Sequence, residues 1–141
     1  MREYLFRGQT RKLGEKVRMD GSKVPGNWVY GGICQGRGDF PIIYGSESDS
    51  ADENFATKNK HVVYTNTVGQ YTGQEDAKRV KIFENDIVEY ENRNFAVAWD
   101  KRECCFKAVR SGETFRITEE TAKYVSVIGN IHDNVGLFLN Q

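Results

Sequence analysis

Alternation of bulky and small positions dominates the second half of the chain. In Phe95-Ala96-Val97-Ala98-Trp99 the large residues occupy odd positions and the alanines even ones. A period of two with one bulky face marks a half-buried strand. The same reading predicts strands at 81–83, 86–90, 95–100, 104–109, 115–118 and 124–131. The links Glu91-Asn92-Arg93-Asn94, 100–103 and Ser111-Gly112 have hairpin length. The organising stretch is 69–90, where an aromatic turn, a charged connector and an apolar run meet. Thr118 opens the one helix start, with Glu119 and Glu120 in its first turn. Thr121 stands where Glu or Gln would complete a capping box. The apolar segment 135–139 is expected to dock as a short helix or tail.

The first half is less regular. Strands are expected at 3–7, 28–30, 40–44, 61–64 and 67–71. Gly31-Gly32 is expected to bend the chain or admit a neighbouring backbone, and Pro41 to mark an edge. Residues 10–26 are polar, basic and punctuated by glycine, which predicts a hairpin or long loop. Residues 46–54 carry four acids and no large apolar side chain. They cannot bury enough surface to offset their ordering entropy, so a mobile acidic loop is expected.

A chain of 141 residues suits one domain, read as an N-terminal β-rich segment (1–79) and a barrel with a tail (80–141). Seven Tyr and eight Phe argue against disorder. Lys+Arg and Asp+Glu balance at 20 each, which demotes nucleic-acid binding. Cys34, Cys104 and Cys105 are odd in number, and two are adjacent. This suggests reduced thiols and a cytoplasmic location rather than a disulfide framework. The absence of an apolar leader or span predicts a soluble protein.

No catalytic or metal-binding constellation emerges. His61 and His132 lack partners at ligand spacing, so neither a metal nor a cofactor is expected. Gly31-Gly32, Gly36-Arg37-Gly38 and the glycines at 69 and 73 are not followed by a helix, so none makes a phosphate loop. On an alternating strand Cys104 and Cys105 would face opposite sides, burying one. A reactive thiol near Arg102 and Lys107 is the weaker reading. Glu84 and Asp86 are expected to bond backbone N–H groups and fix a turn at Asn85, not to act as a carboxylate pair. A concave cluster of Glu84, Asp86 and His132 would instead point to an enzyme. Gly73 and Gly129 are further turn candidates. Trp28, Tyr30, Tyr71, Phe83, Tyr90, Phe95 and Trp99 are read mainly as core. The only basic concentration is Arg7, Arg11, Lys12, Lys16, Arg18 and Lys23, a candidate arm for phosphates.

Four stretches in fixed order resemble the YopX family of bacteriophage and prophage proteins. They are Phe6-Arg7-Gly8 with Asn27-Trp28-Val29-Tyr30-Gly31, then Val68-Gly69-Gln70-Tyr71-Thr72-Gly73, then Lys81-Ile82-Phe83-Glu84-Asn85-Asp86-Ile87-Val88, then Val127-Ile128-Gly129-Asn130-Ile131-His132-Asp133-Asn134. Asn85 stands where the family pattern usually has Gly, and Asn tolerates the same backbone. The connector 74–80 also lacks the family's usual Asn-Gly signal. The resemblance implies a β-rich fold with an SH3-like barrel in the C-terminal half, a phage or prophage origin, and no catalytic residue to carry over. The expected function is a non-enzymatic accessory protein working by protein contact, as a homo-oligomer. The alternative is nucleic-acid binding through residues 7–23 and exposed aromatics.

Overall fold

In the computed structural model, residues 3–10, 27–36, 40–45 and 60–139 are described. The expected acidic loop and most of the basic segment lie outside them. The chain divides into two compact units. One comprises Tyr4–Gln70, the other Met1–Glu3 with Tyr71–Gln141. The division falls ahead of position 80 because Tyr71 and Glu75 pair with Phe83 and Lys81, drawing the charged connector into the C-terminal unit.

The N-terminal unit is antiparallel. Its strands are β1 (Phe6–Gln9), β2 (Trp28–Cys34), β3 (Ile42–Gly45) and β4 (Lys60–Val62), in the order β4-β3-β2-β1. The start of β5 (Gly69–Glu75) lies beside β1, with Phe6 opposite Gln70. Strand β2 runs straight through Gly31-Gly32 instead of bending there. A Cβ at Gly31 would lie 1.8 Å from the Tyr44 carbonyl oxygen, so close backbone approach is what requires this glycine. Strand β3 is internal, and buried Pro41 precedes it rather than marking an edge. Ile43 and Val63 are completely buried. A turn at Thr65–Thr67 is tied down where the Thr67 hydroxyl accepts from the Gln9 N–H at 2.9 Å.

In the C-terminal unit β5 pairs with β6 (Lys81–Phe83). A sheet of five strands follows, built from β7 (Asp86–Tyr90), β8 (Arg93–Asp100), β9 (Cys105–Arg110), β10 (Glu113–Arg116) and β11 (Ser126–Asn130). Its order is β10-β9-β8-β7-β11. Four consecutive strands thus form a meander, and the last returns beside the first. Among the described residues no ladder joins β10 to β11, so the closed barrel expected from the sequence is not found. Short helices α1 (Glu119–Ala122) and α2 (Val135–Leu139) complete the unit. No helix among the described residues is long and apolar enough to cross a membrane.

Alternation decides the packing of β8. Phe95 and Val97 are buried with Ile82, Val88, Ala108, Ala122 and Val125. Tyr90, Phe106, Phe115, Ile117 and Val127 pack around them. The small face serves a different neighbour: the Asn94 side-chain N–H donates to the Leu137 carbonyl of α2 at 2.8 Å. The β7–β8 turn is tighter than expected. Glu91 and Asn92 have φ of 49° and 62°, which gives a two-residue turn of the mirror-image kind that suits strand twist. Arg93 therefore already opposes Tyr90 as a strand residue.

Candidate binding groove

Three local devices build an open groove of about 210 Å³ lined by Tyr90, Glu113, Thr114, Phe115, Thr121 and Tyr124. The first is the β7–β8 turn, which ends β7 at Tyr90 and sets Arg93 across from it. The second is the β9–β10 turn at Ser111-Gly112. Gly112 has φ 77°, and Arg110 opposes Glu113 as the closing pair. The third is the start of α1. The Thr118 hydroxyl accepts from the Thr121 N–H at 3.2 Å, and the Thr121 hydroxyl accepts from the Thr118 N–H at 2.8 Å. The capping box is therefore closed, because a threonine hydroxyl can take the role expected of Glu. The same hydroxyl donates to the Arg116 carbonyl at 2.6 Å and ties α1 to the outer edge of β10. The chain leaves α1 with Tyr124 73% exposed beside the groove.

The floor is aromatic. Tyr90 and Phe115 have ring centroids 5.3 Å apart, and Phe115 meets Phe95 edge-on at 5.0 Å. Guanidinium groups flank that floor: Arg93 lies 5.9 Å and Arg110 5.7 Å from the Phe95 centroid. Arg93 is forked between Glu113 and Glu91, bonding Glu91 at 3.1 Å. The negative charge of Glu91, then partial burial, holds the Tyr90 phenol above its usual pKa, so the ring stays neutral. The lining offers three aromatic rings, two of them phenols, two threonines and one carboxylate. This suits holding a side chain or small group in contact.

The residues singled out in the sequence fall elsewhere. Asn85 has φ 73°, its N–H donates to the Val97 carbonyl at 2.7 Å, and its carbonyl accepts from Ile131 at 2.9 Å. Asp86 is 1% exposed, and its carboxylate accepts the Phe83 N–H at 2.7 Å. Glu84 is half-buried in the same turn, and His132 is half-buried after β11. Neither lines the groove, nor does Asp86. Gly73 has φ 91° at the register shift of the β5–β6 pair. At Gly129, beside the register shift of β11, a Cβ would lie 2.5 Å from the Asn134 side-chain oxygen.

Arg7, first of the six basic candidates, is only 6% exposed and stacks on the Trp28 ring at 4.8 Å. It is therefore not offered to a phosphate at the surface. Arg11, Lys12, Lys16, Arg18 and Lys23 lie outside the described residues. Strand β9 begins at Cys105, and Cys104 is a turn residue with φ 54°. Cys104 is exposed and Cys105 half-buried, so neither is the buried hydrophobe expected from alternation. Lys107, the neighbour that could have activated a thiol, is bonded to Asp100 and Glu103, both at 2.8 Å. Among the described residues no group of three or more His, Cys, Asp or Glu side chains is placed to hold a metal.

Of the aromatics named from sequence only Tyr90 reaches the groove. Tyr71, Phe83 and Phe95 are core. Trp99 is 48% exposed and meets Phe106 edge-on at 4.9 Å. Phe115 and Tyr124 were not singled out by sequence reasoning. The available signal was the capping pair at 118 and 121, which starts α1; the helix ends at Ala122, and Tyr124 comes back beside β10 two residues later.

No curated protein matches the chain. A family model described as YopX protein matches residues 38–138, well over half of the chain and all of the groove. The chain belongs to the YopX family.

Proposed function

We propose that this chain is a non-enzymatic accessory protein of a bacteriophage or prophage, working in the bacterial cytoplasm by protein contact and self-associating as it does so. The observation that carries the reading is the groove of Tyr90, Phe115 and Tyr124. It is concave, mainly apolar and built from two strands and the short helix with the residue that follows it, as pockets that take a partner's anchoring side chain are concave and apolar. Family membership and the even balance of charge support it. An SH3-like relationship for the C-terminal unit is supported by its strand order, a four-strand meander whose fifth strand returns beside the first. A helical turn lies between the last two strands. Sedimentation of the full chain across concentrations tests self-association, and a strict monomer removes it. Tyr124→Ala, an exposed change, should weaken contact with any partner that uses the groove while leaving the fold intact.

A second reading, binding of single-stranded nucleic acid, has one observation in its favour. Tyr30 and Tyr44 are 45% and 39% exposed. The β2–β3 register puts them on one face of the N-terminal sheet beside Gly32. Exposed rings on a sheet are the usual platform for stacked bases. Gel shifts at low salt decide it, and no shift at micromolar protein removes it.

A further inference from the structure

Strand β10 is an edge of the C-terminal sheet. Along an edge, main-chain groups turn alternately toward the neighbouring strand and away from it. The Ile117 N–H donates to the Phe106 carbonyl at 2.9 Å, in step with Phe115 opposite Ala108 and Glu113 opposite Arg110, so these positions bond β9. The main-chain groups of Thr114 and Arg116 therefore face outward, and both residues are exposed. The Arg116 carbonyl accepts from the Thr121 hydroxyl at 2.6 Å, so α1 covers that end of the edge. Among the described residues no bond reaches the Thr114 N–H or carbonyl. The opposite edge is occupied: the Val127 N–H donates to Asp76 at 2.8 Å, and the Val125 carbonyl accepts from Ala77 at 3.0 Å. Thr114 is thus an open rung, and it lines the groove.

Resting on the contact reading above, we propose that an extended segment of a partner protein adds to β10 as a strand, bonding Thr114 through its main chain and placing one apolar side chain in the groove. The open rung selects the occupant's conformation, because an extended chain presents a donor and an acceptor at matching spacing. The residue opposite Thr114 points with the Thr114 side chain, and its neighbours point with Glu113 and Phe115. A neighbour therefore meets the groove, whose volume of about 210 Å³ admits one side chain. The only ionised group of the lining, Glu113, is already bonded to Arg93, so the rings decide and an uncharged side chain fits. The Arg110 Nη1 has no hydrogen-bond partner, but it is buried and outside the lining. A second copy of this unit is the poorer match. Its β10 offers the same single rung beside α1, and its β11 edge is occupied.

The test uses the full chain and a dodecapeptide of Ser and Thr with one central Leu. Comparison peptides carry Gly, Lys or Glu in place of the Leu. A further one has ester oxygens in place of the N–H groups of the two residues flanking it. Binding is read by NMR from the ring resonances of Tyr90, Phe115 and Tyr124 and from solvent exchange of the Thr114 amide. The Leu peptide should move the rings and protect the Thr114 amide. The ester form should bind about fivefold more weakly, and the Gly form about tenfold. Thr114→Pro removes the outward donor at an edge position that tolerates proline, and should abolish the protection and most of the affinity. If that variant does not fold, the ester peptide alone decides. An ester form that binds as tightly, with the rings moving and the Thr114 amide unprotected, overturns the added strand and leaves the contact reading standing. Tighter binding of the Lys or Glu peptide overturns the apolar side chain. If no peptide binds, the proposal falls, and a Thr114→Pro chain that then loses self-association assigns the edge to a second copy. The contact reading is judged separately by whether Tyr124→Ala alters sedimentation of the full chain.

Discussion

The Asp76 side chain accepts hydrogen bonds from three backbone N–H groups while only 5% exposed. Its Oδ1 takes Lys78 at 2.8 Å and Val80 at 2.9 Å, and its Oδ2 takes Val127 at 2.8 Å. One carboxylate thus shapes the β5–β6 connection and fastens it to β11. Asp76→Ala leaves several donors without partners in a half-closed site. Each such loss costs about 1–3 kcal/mol, so urea unfolding should show a destabilisation of about 3 kcal/mol or more. Position 85 tests a backbone argument instead. Because φ is already positive there, Asn85→Gly should change stability by less than about 1 kcal/mol in thermal melts. Asn85→Val places a β-branched side chain in the left-handed region and should cost about 1–3 kcal/mol. The value of Asn85 could be read from its residue type and neighbours. That of Asp76 could not, because its Val127 bond spans 51 positions of sequence and nothing in a charged connector announces a distant partner.

Among the elements, the β8–β9 hairpin carries its own electrostatic lock. The Asp100 carboxylate accepts from the Arg102 N–H at 2.8 Å and the Glu103 N–H at 3.2 Å, and Lys107 reaches both acids. The Lys107 hydrogen bond, then that from Glu103, lowers the Asp100 pKa to about 2. Glu103 is lowered too, first by Lys107 and then by Arg116. Acids held below their ordinary values favour the folded state fully above those values and lose that share as pH falls through the lowered ones. Lys107 is raised, mainly by Asp100, so its share is lost only at alkaline pH. The urea midpoint should therefore fall as pH drops from about 5 to about 2, and Asp100→Asn should flatten that slope. A slope unchanged in the variant would dismiss the lock. The strands themselves were readable from alternation because burial on one face imposes a period of two on side-chain size. Their ends were not. Glu91, Cys104 and Arg79 take positive φ without being Gly or Asn, so local propensity misplaced the turns at 91 and 104.

At the scale of the molecule, the division after Gln70 leaves a C-terminal unit with its own core of Ile82, Val88, Phe95, Val97, Ala108, Ala122 and Val125. A fragment of residues 71–141 should then fold alone, giving a dispersed NMR spectrum and a cooperative melt. A collapsed spectrum would show that this core needs the rest of the chain. The architecture was largely legible because it follows from patterning. The groove was not, because Tyr90, Phe115 and Tyr124 come from three separate elements whose meeting is decided by turn geometry and by the Thr118–Thr121 cap. The most direct test of the groove as contact site is selection of random displayed dodecapeptides on the full chain, followed by binding to wild type and Tyr124→Ala. The account predicts enriched peptides that compete with one another, move the Tyr90, Phe115 and Tyr124 resonances, and lose most of their affinity for Tyr124→Ala. Enriched peptides that bind the variant equally well and move resonances elsewhere would contradict it.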